Sequence, residues 1–185
     1  MKKVITILLI VFSLSLFSLD FRDYHWRNSQ DSVRENEGKE PLFSNDKFLV
    51  YEGEVAQFPA TIIFTFIDDE LSRGMYVLQN EHDKYNDYIL DFIYLKELLS
   101  KIYGDPMDEL DITKSMVEND KRQRYGKKIA QGEKILQSKW VLERTLIVLT
   151  LEGKDNKLQT RISYTSFFHL EHYLNSQDEK LMEGL

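Results

Sequence analysis

Between Pro59 and Gln79 the chain alternates in steps of two. Ile62, Phe64 and Phe66 interleave with Thr61, Ile63, Thr65 and Ile67, so both faces of an extended segment carry apolar or β-branched side chains. Asp68-Asp69-Glu70 interrupts the run with residues that favour turns, and Met75 to Leu78 resumes it, which predicts a β-hairpin. Upstream, Phe48 to Val55 predicts a first strand that Gly53 bulges or ends, with Phe58-Pro59 turning the chain into the hairpin. Three antiparallel strands in succession make a meander, and its apolar face needs a cover.

The period then changes. Tyr85, Ile89, Phe92, Leu95, Leu99 and Ile102 recur at intervals of three and four, predicting a long helix capped by Asn80 or Asp83 and ended by Gly104-Asp105-Pro106. This helix is the expected roof of the meander. Tyr88, Ile93, Tyr94, Leu98 and Tyr103 widen its apolar surface beyond one stripe, which implies cover on a second side or a partner. A short helix is expected after Ser29, an N-cap residue, with Asp31 in its first turn, Val33 as its strongly apolar residue and Gly38 as its stop.

From residue 107 to 137 the composition becomes charged and polar, predicting the least ordered part, although Ile112, Met116 and Val117 could share a helical face. Trp140 brings the chain back to the core. Thr145 to Leu151 and Leu158 to Thr165 then predict a second hairpin. Leu158, Thr160, Ile162 and Tyr164 point inward, and Gln159, Arg161, Ser163 and Thr165 point to water. The expected fold class is α+β: an antiparallel meander sheet packed against one long helix, with a second C-terminal hairpin and a polar tail over residues 171–185.

Composition places this fold in a compartment. Lys2 and Lys3 precede an uncharged apolar run from Val4 to Leu19, the pattern of a secretory signal, so residues 1–18 are expected to be removed and residues 19–185 to form a single domain. The alternative is an uncleaved anchor, for which the run is slightly short of the ~20 residues that a spanning helix needs. The chain contains no cysteine, which excludes disulfides, thiol chemistry and lipid attachment through cysteine. An exported, periplasmic or extracellular protein is expected, touching a membrane only through an uncleaved signal. Without residues 1–18 it carries 22 basic and 31 acidic residues, a net charge of −9, which makes nucleic acid a poor partner.

Candidate chemistry is sparse. His169 and His172 stand three apart, a weak metal signal, and His25 and His82 are isolated; solvated histidines and no metal are expected. The three consecutive acids at Asp68 read as a turn, since cation loops space their oxygens at alternate positions. Lys121 to Lys128 is the one basic concentration, read as a solvated stretch balanced by Glu118, Asp120 and Glu133. There is no G-x-S-x-G, no phosphate-binding loop and no thiol, so an enzyme is the less favoured class and no cofactor is expected.

Phe21-Arg22, Trp26 and Ser29, followed by Ile63-Phe64-Thr65-Phe66, Leu71, Tyr76, Tyr88 and Tyr103-Gly104-Asp105-Pro106, resemble a group of small exported bacterial proteins of unknown function. Their opening is of the type F-R-x-x-x-W-G-x-S. The resemblance spans Phe21 to Pro106 and departs at Arg27, where those proteins usually have glycine; it implies an envelope location and no known activity. More loosely, the helix-plus-meander pattern resembles the fold of β-lactamase-inhibitor proteins and of a small outer-membrane-assembly lipoprotein, which bind proteins and catalyse nothing. The expected function is accordingly a non-enzymatic module binding another envelope protein through Arg22, Tyr24, Trp26, Tyr88 and Tyr94. A small-ligand or lipid carrier, and a hydrolase using His169, His172 or the turn around Asp69, are the alternatives.

Overall fold

The computed structural model describes residues 20–110 and 119–170. Its elements are α1 (Gln30–Glu37), β1 (Phe43–Ser44), β2 (Phe48–Val55), β3 (Phe58–Ile67), β4 (Glu70–Leu78), α2 (Tyr85–Tyr103), β5 (Asp108–Leu110), α3 (Asn119–Ala130), β6 (Leu136–Val141), β7 (Thr145–Lys154) and β8 (Lys157–Ser166). The eight strands form one antiparallel sheet in the order β1-β2-β3-β4-β8-β7-β6-β5. Two meanders, β2-β3-β4 and β6-β7-β8, therefore meet where β4 pairs with β8, with Gly74 opposite Tyr164 and Tyr76 opposite Ile162.

This corrects the expected meander roofed by one long helix with a separate C-terminal hairpin. The second hairpin lies at the centre of a single sheet, because β8 has the apolar inner face and small outer residues that a strand flanked on both sides requires. Ser163 and Thr165, expected in water, are 6% and 8% exposed, lying between Met75 and Val148 and between Arg73 and Leu146 in the register. Nor does the long helix cover the first meander: α2 packs against α3, β7 and β8. Three helices share the inner face, and α3 with β5 and the start of β6 occupies much of the segment expected to be least ordered.

The cover over β2-β3-β4 is the strap from Asp20 to Asn28 together with α1. Phe21, 1% exposed, lies over Gly74, whose missing side chain makes the room, since a Cβ there would stand 2.0 Å from the Phe21 ring. The ring packs on Phe64, Tyr76 and Tyr164 at centroid distances of 5.1 to 5.4 Å, bridging the two meanders. Ser29 caps α1 by accepting from the Ser32 N–H, Gly38 ends it at φ +62°, and Val33 is fully buried, as its sequence implies.

On α2, Ile89, Phe92, Leu95 and Leu99 face the core, while Ile102 is 69% exposed. Neither Asn80 nor Asp83 caps it; the first turn is instead closed from α3, where Gln123 Oε1 accepts from the Asn86 N–H and Arg122 Nε donates to Asn86 Oδ1. Gly53 does not end β2. It pairs with Ala60 and leaves space for Ile62, whereas the sheet's irregularity falls between Thr65 and Phe66. Residues 1–19, Ile112, Met116, Val117, His172 and the tail 171–185 lie outside the described residues.

Candidate functional sites

The residues expected to contact a partner are divided between core and surface. Tyr24 and Trp26 are 3% and 6% exposed, so they hold the strap down and do not present aromatic surface. The Tyr24 hydroxyl donates to Glu37 Oε1 at 3.1 Å, and Arg22 Nε stands 3.4 Å from the same oxygen. Burial, then the Glu37 carboxylate, pushes the Tyr24 hydroxyl far above the usual tyrosine range. Trp26 Nε1 donates to Thr145 Oγ1 at 2.9 Å, reaching across to β7. Beneath the strap, burial likewise raises Tyr76 and Tyr164, which hydrogen-bond Arg22 and Tyr103 respectively.

Arg27 occupies the left-handed region at φ +73°, so the chain reverses beside Trp26 without glycine. Its N–H donates to the Leu71 carbonyl, and its guanidinium grips Glu70 through Nε and Nη2, each at 2.9 Å. Tyr94 is 45% exposed, with its ring edge-on to Phe58, and Tyr88 is half-buried. The five residues thus form no single patch: three belong to the strap and two to α2.

Each described histidine stands beside a carboxylate. His25 Nδ1 lies 3.6 Å from Asp20, and His169 Nε2 lies 3.3 Å from Glu70, which the Arg27 guanidinium holds below the usual carboxylate range. Ser166 Oγ is 3.4 Å from His169 Nδ1, so the structure brings a serine, a histidine and the acidic turn together. Yet Ser166 is fully buried and its Oγ accepts the Phe168 N–H, capping the short 3-10 turn Phe167–His169. The row ties the two central hairpins and offers no accessible nucleophile.

His82 is the residue that sequence reasoning passed over. It lies in the linker between β4 and α2, where Nε2 is 2.6 Å from Asp91 Oδ2, the backbone N–H donates to Tyr88 Oη at 3.1 Å, and the ring meets Tyr88 edge-on. Asn80 Nδ2 donates to the same Asp91 oxygen. The available signal was helical spacing: Tyr88 and Asp91 stand three apart on the first turns of α2, facing the incoming linker. His82 lines a cleft of about 830 Å³ between that linker and the β7–β8 turn.

The second surface is the sheet's outer face. All three helices and the strap lie on the other side, and among the described residues none covers Phe48, Val50, Ile63, Met75 and Val77. These side chains are half-buried by their neighbours alone, and Leu42 and Phe43 at the β1 edge are 61% and 53% exposed. Phe43, Phe48, Val50, Ile63 and Met75, with Thr65 and Arg73, line a shallow apolar depression of about 440 Å³. The described residues contain no group of His, Asp or Glu able to hold a metal ion and no helix long and apolar enough to cross a membrane. No known protein family, curated protein or solved structure was found to match the chain.

Proposed function

We propose that the chain is an exported, non-enzymatic envelope protein that binds another protein through the outer face of its sheet at the β1–β4 end. The observation that carries this reading is the row of aliphatic and aromatic side chains on a face that no described element covers. Phe, Met and Arg are the residue types enriched at protein interfaces, and a contiguous apolar patch on a water-facing sheet marks a contact surface. The net charge, −9 without residues 1–18, disfavours an anionic membrane as the occupant. The depression is wide and shallow, suited to side chains of a protein partner. The closely packed interface of Ile89, Phe92, Leu95 and Leu99 with the sheet counts against a carrier that would hold a lipid beneath the helix.

A photo-crosslinking residue placed at Ile63 or Met75 in cells should yield one shared adduct with a second, different protein. The same residue at exposed Glu97 on α2 should yield none. Ile63→Glu should remove the Met75 adduct while the purified variant keeps its circular dichroism spectrum. Absence of an adduct, equal adducts from Glu97, or an adduct with the mass of two copies of this chain would each overturn the reading.

A further inference from the structure

The cleft beside His82 is a separate place, on the helix-side margin of the sheet. Its geometry fixes the orientation of the imidazole. Asp91 Oδ2 stands 2.6 Å from His82 Nε2, and Asn80 Nδ2 stands 3.0 Å from the same ring nitrogen, so Nε2 is engaged on the protein side. The other nitrogen, Nδ1, is used by no described contact. The ring is held by Asp91, by the edge-on contact with Tyr88 and by its own backbone N–H on the Tyr88 hydroxyl. A surface-loop histidine held in this way presents one ring nitrogen in a set direction.

The rest of the cleft restricts what can bind there. Among the lining residues Glu81, Asp83 and Asp87 are set against Lys84 and Lys157, three acids to two lysines, so no strong field selects a highly charged ligand. Asn156 and Gln159 add side-chain amides that both donate and accept, and Tyr85 adds an aromatic wall. The lining has no serine, threonine or cysteine to act as nucleophile. Closely spaced donors and acceptors of near-zero net charge match a ligand whose groups each donate and accept, which is the property of hydroxyls. The volume lies within the range of small-molecule sites.

We propose that this cleft binds a neutral, hydroxyl-rich molecule of sugar size, with His82 Nδ1 hydrogen-bonding one ligand hydroxyl and Asp91 positioning the ring. Binding here is independent of the protein contact on the outer face.

The test is titration of the purified, isotope-labelled protein with N-acetylglucosamine and maltose, followed by amide NMR shifts, with glucosamine and glucuronate as cationic and anionic counterparts. Saturable shifts confined to residues 80–84 and 156–159 are expected with at least one neutral sugar, at an affinity near about 1 mM. His82→Ala should weaken it roughly tenfold. Because His82 also anchors the linker, Gln159→Ala on the exposed hairpin end serves as the second variant. It should weaken binding by about threefold with an unchanged melting temperature. Absence of localised shifts at about 10 mM sugar, shifts that survive both variants, or a charged counterpart binding about tenfold tighter would overturn the proposal.

Discussion

The seating of Phe21 over Gly74 can be tested by a double-mutant cycle, because the two residues occupy one space. In the native chain Gly74→Ala would put a methyl 2.0 Å from Phe21 Cδ1 and 2.3 Å from two further ring atoms. The ring cannot yield without leaving Phe64, Tyr76 and Tyr164, so the overpacking should cost about 1–3 kcal/mol. Phe21→Ala alone removes a ring that is 1% exposed and should cost about 3–5 kcal/mol. With the ring gone, the Gly74 methyl enters vacated space, and alanine in a strand interior regains roughly 0.5–1 kcal/mol over glycine. The second substitution therefore changes sign between backgrounds, a coupling of about 1.5–4 kcal/mol between residues 53 positions apart. Urea unfolding followed by the fluorescence of buried Trp26 and Trp140 gives all four stabilities. Equal costs of Gly74→Ala in both backgrounds, within about 0.5 kcal/mol, would refute the docking of the strap on the sheet.

Two further outcomes follow from the backbone and the buried tyrosines. The β2–β3 turn holds Ala56 and Gln57 at φ +50° and +70°, a conformation that Asn-Gly adopts with far less strain, so replacing the pair with Asn-Gly should stabilise by about 1–2 kcal/mol and raise the melting temperature by roughly 2–8 °C. A lower midpoint by calorimetry would contradict the turn geometry. Tyr24, Tyr51, Tyr76 and Tyr164 are all raised, chiefly by burial, above their unfolded value near 10. A raised folded value means that their contribution is fully present below about pH 10 and is lost as pH rises through the folded values. Stability should thus fall steeply in alkali, with tyrosinate absorbance rising together with unfolding, and Tyr76→Phe with Tyr164→Phe should flatten the fall. Gradual ionisation in the folded state would count against the burial argument.

Local patterns in the sequence located individual elements better than their neighbours. Alternation placed β2, β3, β7 and β8, and the Ser29 and Gly38 caps placed α1, because these signals act within a few residues. The pairing of β4 with β8 left no local trace, since any apolar strand edge can accept another. The strap was misread for a related reason. Tyr24 and Trp26 lie in irregular backbone with no period, so their richness resembled an exposed binding surface, and burial depended on a distant face. One clue was present: Gly74 interrupts an otherwise side-chain-rich strand, which marks a place where another group comes close. At His82 the participants were visible, but their convergence required knowing that α2 begins at Tyr85. The outer face was obscured because Ile63, Met75 and Val77 look like core residues until all the helices fall on the other side.

The join between β4 and β8 also governs when this protein can become whole. The first meander is complete in the chain at Leu78, yet its central neighbour begins only at Lys157, after both longer helices and three more strands. A chain emerging from its N-terminus must therefore hold the edge of β4 open, with its apolar inner face covered only by the strap and α1, until nearly everything has followed. Such delayed long-range closure is slow and leaves strand edges available to the wrong partners. The last strand is thus the keystone of the sheet, and truncations before Lys157 should yield an aggregating half-sheet with no independently folding N-terminal unit.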